Sequence, residues 1–313
     1  MPSPSGDFPH RPVLLDEVVA LFAPVPEGWL IDATLGGAGH AAALLERHRH
    51  LSVLGIDQDP DAVTAARARL ARFGGRVEVV HARFDRLAEV ARERGRLPAS
   101  GVLFDLGVSS PQLDRPERGF SYRADAPLDM RMDPTQPRTA ADVVNRYEER
   151  DLARLLRRYG DEAHARRIAR AIVRQRPIEG TAELAEVVRD AIPAPARRRG
   201  GHPARRTFQA LRIEVNGELE VLPVALDAAL GATAPGGRVA VLSYHSGEDR
   251  LVKERFRYEE TGGCVCPPQL PCRCGAVRRA RLLRRGATKA GAAEVAANPR
   301  AESARLRAVE VLP

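Results

Sequence analysis

The chain has 313 residues, 44% of them hydrophobic, which is enough apolar material for one large domain or two smaller ones. No run approaches the roughly 18 uninterrupted apolar residues of a bilayer span, and the opening MPSPSGDFPH lacks a charged segment followed by an apolar one, so a soluble cytoplasmic protein is expected. The net charge of +8 is unevenly placed: residues 139–206 carry +6, residues 250–313 carry +8, and the rest is acidic. Arg concentrated in two segments around an acidic body suits a polyanion partner, because guanidinium pairs bidentately with phosphate; solvated helix faces are the competing explanation.

In chain order, GWLIDA at 28–33, LSVLGID at 51–57, VEVVH at 77–81 and GVLFDL at 101–106 read as short apolar strands. Helical patterns separate them, which implies a parallel sheet covered on both faces. Another such strand lies in GGRVAVLSYHS, after the turn Pro235-Gly236-Gly237. Between them the period changes. Leu152, Leu155, Leu156 and Tyr159 fall at i, i+3, i+4 and i+7, and Leu184, Val187, Val188 and Ala191 repeat that spacing after a predicted N-cap at Thr181. AIPAPARRRGGHPARR then reads as a long exposed basic loop. The expected architecture is an α/β sheet domain formed by residues 1–136 and 207–313, interrupted by an all-helical insert over 137–206. No internal repeat is evident.

Three of the strands end in an acid, Asp32, Asp57 and Asp105, and the first runs into the loop ATLGGAGH. In an open α/β sheet, ligands bind beyond the carboxyl ends of the strands, where strand order reverses. Gly37-Ala38-Gly39-His40-Ala41-Ala42 fits G-x-G-x-x-A, and Asp57 lies 18 residues after Gly39, near the distance at which an acid meets ribose hydroxyls. A nicotinamide dinucleotide and S-adenosylmethionine both satisfy Asp57. Asp32 discriminates: at the mouth of the loop it repels a pyrophosphate but attracts an ammonium or a sulfonium. The residues favour the methyl donor over an NAD-linked oxidoreductase, which also leaves the basic insert without a role.

Longer motifs extend this reading. HRPVLLDEV at 10–18, DATLGGAGH at 32–40, DLGVSSPQLDRPERGFSY from 105, PLDMRMD from 127, HPARRTFQALRIEVNGEL at 202–219, SYHSGEDRLVK at 243–253 and NPRAESARLR at 298–307 closely resemble the ribosomal RNA small subunit methyltransferase H family. The resemblance covers nearly the whole chain. It implies a class I, Rossmann-like S-adenosylmethionine-dependent enzyme with an inserted helical domain, acting on the exocyclic N4 of one cytidine in the decoding region of bacterial 16S rRNA, within the small ribosomal subunit. On matching positions it implies cofactor contacts at Ala38, Gly39, His40, Asp57, Phe84, Asp105 and Gln112. This chain departs from the family at Tyr244 and Gly247, where Phe and Leu are usual.

The N4 lone pair of cytosine is delocalised into the ring, so alignment and a nearby acceptor must supply much of the rate. The D/S/N-P-P-Y/F/W motif of amino-directed DNA methyltransferases is absent. Asp105, Ser109 and Ser110 stand at the corresponding point, and His245 of SYHS closes the late strand; these four are the catalytic candidates. A flipped base is read by hydrogen bonds and stacking, for which Phe120, Tyr122, Arg131 and Phe208 are candidates, although DMRMD equally fits an internal salt-bridged loop. Arg197, Arg198, Arg199, Arg205 and Arg206 are candidates for rRNA phosphates. All four cysteines, Cys264, Cys266, Cys272 and Cys274, lie in CVCPPQLPCRC, where a structural zinc site and reduced free thiols are both open readings. A non-enzymatic ribosome-assembly factor that binds RNA without methyl transfer also remains open.

Overall fold

A computed structural model describes residues 12–197, 201–267, 269 and 273–313, without the side chains of Ser110 and Pro111. The chain divides into two compact units: Val108–Glu220, and a second unit made of the segments before and after it.

The discontinuous unit is built on a seven-stranded sheet. Its strands are β1 (Gly28–Asp32), β2 (Leu51–Asp57), β3 (Val77–His81), β4 (Ala99–Asp105), β5 (Thr233–Ser243), β6 (Ala280–Leu282) and β7 (Arg305–Val311). The order is β3-β2-β1-β4-β5-β7-β6. The first five run parallel, whereas β7 pairs antiparallel with both β5 and β6. The five strands expected from apolar runs are all present, and the sheet is the α/β, Rossmann-like arrangement that the motifs imply. The chain winds outward from β1 through β2 to β3 and then returns to β4, so strand order reverses between β1 and β4. The two faces of the sheet carry separate apolar clusters: Leu30, Val53, Leu103 and Leu242 on one, and Ile31, Leu54, Phe104 and Val241 on the other. Alternate residues of the same strands feed opposite clusters, which is why these strands read as continuous apolar runs.

The second unit is helical and is wider than the 137–206 expected from period alone. Its buried core takes in Phe120, Leu128, Met130 and Met132 from the segment before it, and Phe208, Leu211 and Ile213 from the helix Arg205–Asn216 after it. The helices Glu149–Gly160 and Ala165–Arg174 each turn one apolar stripe inward: Leu152, Leu155, Leu156 and Tyr159 on the first, and Ala165, Ile168, Ala169 and Ile172 on the second. Thr139 and Asp142 close a capping box on the helix Ala140–Arg146. Thr181 does not cap the next helix as predicted. Gly180 takes that position, and buried Thr181 instead donates its hydroxyl to the Ala124 carbonyl and accepts the Ala126 N–H, fastening an irregular segment to the core.

Candidate active site

The glycine-rich loop between β1 and the helix Gly39–Arg47 is shaped by two residues with positive φ, Gly36 and Ala38 (50° and 58°). Asp57, at the carboxyl end of β2, holds this loop: one carboxylate oxygen accepts the Gly36 N–H at 2.7 Å and the other accepts the Asp59 N–H at 2.8 Å. Burial pushes the Asp57 carboxyl up to about 6, helped by the nearby charge of Asp59 and opposed by these two hydrogen bonds. Gly39 is required for a reason the sequence does not show: a Cβ there would lie 2.4 Å from Cγ of Pro12, which packs directly over the start of the helix.

Beside the loop, Asp32 and Asp105 close β1 and β4, the two strands at the reversal point. Asp32 is only 2% exposed and accepts one N–H, from Thr34, at 3.3 Å. Burial raises its carboxyl to about 7; Asp105 and Asp57 add to that shift, while His40 opposes it. The Thr34 hydroxyl accepts the Asp105 N–H at 2.5 Å, joining the first loop to the end of β4. Asp105 itself receives the Tyr244 hydroxyl at 2.7 Å on Oδ1, and Nε2 of His40 stands 3.5 Å from its Oδ2. His40 is 5% exposed, and neither ring nitrogen has a hydrogen-bond partner among the described residues. Buried polar atoms normally find hydrogen-bond partners, so a buried imidazole that meets Asp105 at 3.5 Å without a hydrogen bond, next to the charge of Asp32, marks a place with the capacity to bind a ligand. The chemistry of that place is acidic: it suits a ligand with cationic and amine or hydroxyl donor groups, and it disfavours a phosphate.

Phe84 follows β3, half-buried and edge-on to Phe104 with ring centroids 6.0 Å apart, so the expected apolar contact lies at the end of the strand next to Asp57. Ala38, Gly39, His40, Asp57, Phe84 and Asp105 thus all belong to the carboxyl end of the sheet. Gln112 is in the helical unit, buried, with its side-chain oxygen accepting the Ser109 N–H at 3.0 Å. The side chain of Ser110 lies outside the described residues.

His245 has a structural occupation. It caps the helix Ser246–Thr261, with its ring accepting the Glu248 N–H at 3.4 Å while the Glu248 carboxylate takes the N–H groups of Tyr244 and His245. The residue of this segment that reaches Asp105 is its neighbour, Tyr244. Sequence reasoning noted Tyr244 only as a departure, and passed over Thr34 altogether.

In the helical unit, two candidates for reading a base are already occupied. Phe208 is 4% exposed, inside the core and edge-on to Tyr122, which in turn stacks on His202 with centroids 4.3 Å apart. Arg131 makes a two-pronged pair with Asp129 and donates to the carbonyls of Pro134 and Gln136, so DMRMD is the internal salt-bridged loop. Phe120 is also buried in this core. Arg197 ties down its own turn through the carbonyls of Ile192 and Asp190. Arg205 and Arg206 are exposed, whereas Arg198 and Arg199 lie outside the described residues. The helix Ala165–Arg174 adds exposed arginines at 166, 170 and 174, a spacing of four that places them along one face. Cys264, Cys266 and Cys274 come together after the helix Ser246–Thr261, with their sulfurs all within 4.8 Å of one another; Cys272 lies outside the described residues.

Comparison with known proteins agrees with this geometry. The family model described as the MraW methylase family matches residues 7–312. The chain is 54% identical to the ribosomal RNA small subunit methyltransferase H of Symbiobacterium thermophilum, an alignment covering 96% of each chain. It is also 54% identical to the protein of that name from Acidothermus cellulolyticus, over 96% of this chain and 93% of the relative, and 51% identical to that of Heliobacterium modesticaldum, over 97% and 98%.

Proposed function

Because the chain belongs to the MraW methylase family, we propose that it transfers the methyl group of S-adenosylmethionine to the exocyclic N4 of a cytidine in the decoding region of bacterial 16S rRNA. The single observation that carries the cofactor reading is the cluster of Asp32, Asp57 and Asp105 at the carboxyl end of the sheet, where strand order reverses, with buried His40 3.5 Å from Asp105. The relatives' names and the exposed arginines carry the RNA reading.

The residues present fit this cofactor. Asp57 has the position of a ribose acceptor, Phe84 supplies apolar surface for a purine, and Asp32 with Asp105 provides negative charge for the ammonium and sulfonium. When bound, S-adenosylmethionine supplies an electrophilic methyl carbon on a sulfonium. The target nitrogen would take that methyl group, a C–N bond forming as the C–S bond breaks with its electron pair left on sulfur, and the chain's own residues would hold the amine in line. The nitrogen then sheds a proton to an acceptor or to water. Asp105 is the best-placed acceptor within the sheet unit: Tyr244 and Thr34 fix it through its side chain and its main chain. Ser109 and Ser110 remain candidates for holding the amine, Gln112 for cofactor polar atoms, and Arg205 and Arg206 for phosphates. His245, engaged in capping, acts by placing Tyr244. No helix among the described residues is long and apolar enough to cross a membrane, and a ribosomal substrate in bacteria supports a cytoplasmic reaction.

The test is to incubate the purified protein and labelled S-adenosylmethionine with small ribosomal subunits from cells lacking this gene, with free 16S rRNA in parallel, and to identify the methylated nucleosides by mass spectrometry. N4-methylcytidine formed on subunits alone establishes the activity on an assembled particle. Cofactor binding without label on either substrate turns the reading towards an assembly factor, and failure to bind the cofactor ends it.

A further inference from the structure

The segment after the helix Ser246–Thr261 has no core of its own. Among its described residues, none from Thr261 to Arg279 is buried, and Val265 and Val277 are 87% and 70% exposed. Its base is nonetheless tightly drawn. The helix ends at Gly262 (φ +62°), where a Cβ would lie 2.4 Å from the Val277 carbonyl oxygen. Arg279 N–H donates to the Glu259 carbonyl at 3.0 Å, and the Arg278 guanidinium donates to that of Glu260 at 2.7 Å. The returning strand thus runs back over the end of the helix, bringing Cys274 beside Cys264, with 3.6 Å between their sulfurs. Cys266 completes a triangle in which no two sulfurs are more than 4.8 Å apart, and it accepts the Arg273 N–H at 3.4 Å.

We propose that Cys264, Cys266 and Cys274 hold one structural zinc ion, and that this ion replaces the missing apolar core of the loop. Zn–S bonds of about 2.3 Å in a tetrahedron put neighbouring sulfurs about 3.8 Å apart, close to the observed separation of Cys264 and Cys274. A disulfide would need those sulfurs about 2.05 Å apart and would leave Cys266 with no role. An iron–sulfur cluster spreads its thiolates over different irons, wider than this triangle. The Arg273 N–H on Cys266 is the outer hydrogen bond that a metal-bound thiolate normally receives. An exposed loop gains its fold from such an ion, because binding free energy becomes ordering free energy. The sequence supplies a further thiol within the loop, Cys272.

The experiment uses the full chain, reduced, loaded with Zn²⁺ and passed through a weak chelator. About one zinc per chain should remain, and Co²⁺ in its place should give the intense visible bands of a tetrahedral thiolate site. Replacing any one of Cys264, Cys266 and Cys274 by Ser should weaken zinc binding by more than the roughly 10–100-fold typical of outer-shell changes. Unchanged S-adenosylmethionine affinity in those variants shows that the sheet unit is intact. Stripping the metal should accelerate tryptic cleavage at Arg273 and Arg278 several-fold. A reduced protein that retains no zinc, a Cys264–Cys274 disulfide in protein isolated without oxygen, or zinc retained by the triple Ser variant would each overturn the proposal.

Discussion

Asn216, Thr181 and Arg131 in the helical unit and the acids at the end of the sheet are treated in opposite ways, although the buried Thr207 hydroxyl of the helical unit also has no hydrogen-bond partner among the described residues. In the helical unit, Asn216 donates to the carbonyls of Met130 and Arg212 and accepts the Met132 N–H, Thr181 serves two main-chain groups, and Arg131 is surrounded by acceptors. At the carboxyl end of the sheet, two carboxyls are pushed well above their ordinary range and a buried imidazole has no hydrogen-bond partner among the described residues. Saturated polar groups stabilise a fold; unsaturated ones that converge on one point store the capacity to bind.

The largest effect expected from this contrast is on stability. Asn216→Ala removes the amide that accepts the Met132 N–H and donates to the Met130 carbonyl in the interior, at about 1–3 kcal/mol for a lost buried partner. Denaturant unfolding should show the loss in the helical unit, while calorimetry should find S-adenosylmethionine affinity unchanged; a matching drop in affinity would break the division. Asp57→Ala should act on binding as well. It frees the Gly36 and Asp59 N–H groups and removes a charged acceptor worth about 1.5–3 kcal/mol, so cofactor affinity should fall roughly 10–100-fold, together with a lower unfolding midpoint from the released loop.

The third expectation concerns pH. Asp32 has a folded value of about 7 against an ordinary 3.8, so the free protein holds a proton that the unfolded chain has already released. This contribution to stability is full below about pH 4 and is lost as pH rises through 7. A cationic ligand needs the charged form, so its affinity should rise about tenfold between pH 6 and 8, with proton release visible as buffer-dependent binding heat. Asp32→Asn should flatten that profile, weaken binding, and raise the melting temperature of the free protein at pH 8. A variant that lost stability instead would show the carboxylate to be structural. The smallest effect belongs to Tyr244→Phe, which removes one hydrogen bond to Asp105. A roughly 2–10-fold loss is expected in methyl-transfer rate or cofactor affinity, without loss of stability.

Much of this was legible in the sequence. The first five strands are continuous apolar runs because both faces of the sheet are covered, and Asp57 and Asp105 stand out as acids closing such runs. β7 escaped notice because Arg305 and Arg307 interrupt its pattern; Arg307 is drawn in by a two-pronged pair with Asp249, a partner 58 residues away. Thr34 and Tyr244 were illegible for the same reason, since their hydroxyls matter only through an aspartate brought close by the fold. Phe208 and Arg131 are the converse case: an aromatic and a cation in a family motif read as a surface for a base, while in the structure the first packs in a core and the second is paired within its loop. The limits of the helical unit are hard to read from period alone because Leu128, Met130 and Met132 belong to no periodic element, yet are buried in its core.

The position of β7 carries a consequence for how the protein is made. It lies between β5 and β6, pairing with β5 from Arg238↔Glu310 to Ser243↔Arg305, although about sixty residues separate the two in the chain. During synthesis, five parallel strands can therefore assemble while the outer edge of β5, with Val239 and Val241 in its middle, is still unpaired. An open, apolar strand edge is a template for aggregation until its partner arrives. β7 is translated after the other six strands of the sheet and is the one that seals this edge, so a nascent chain stalled shortly before residue 305 should be soluble only with help, however complete its cofactor loop already is.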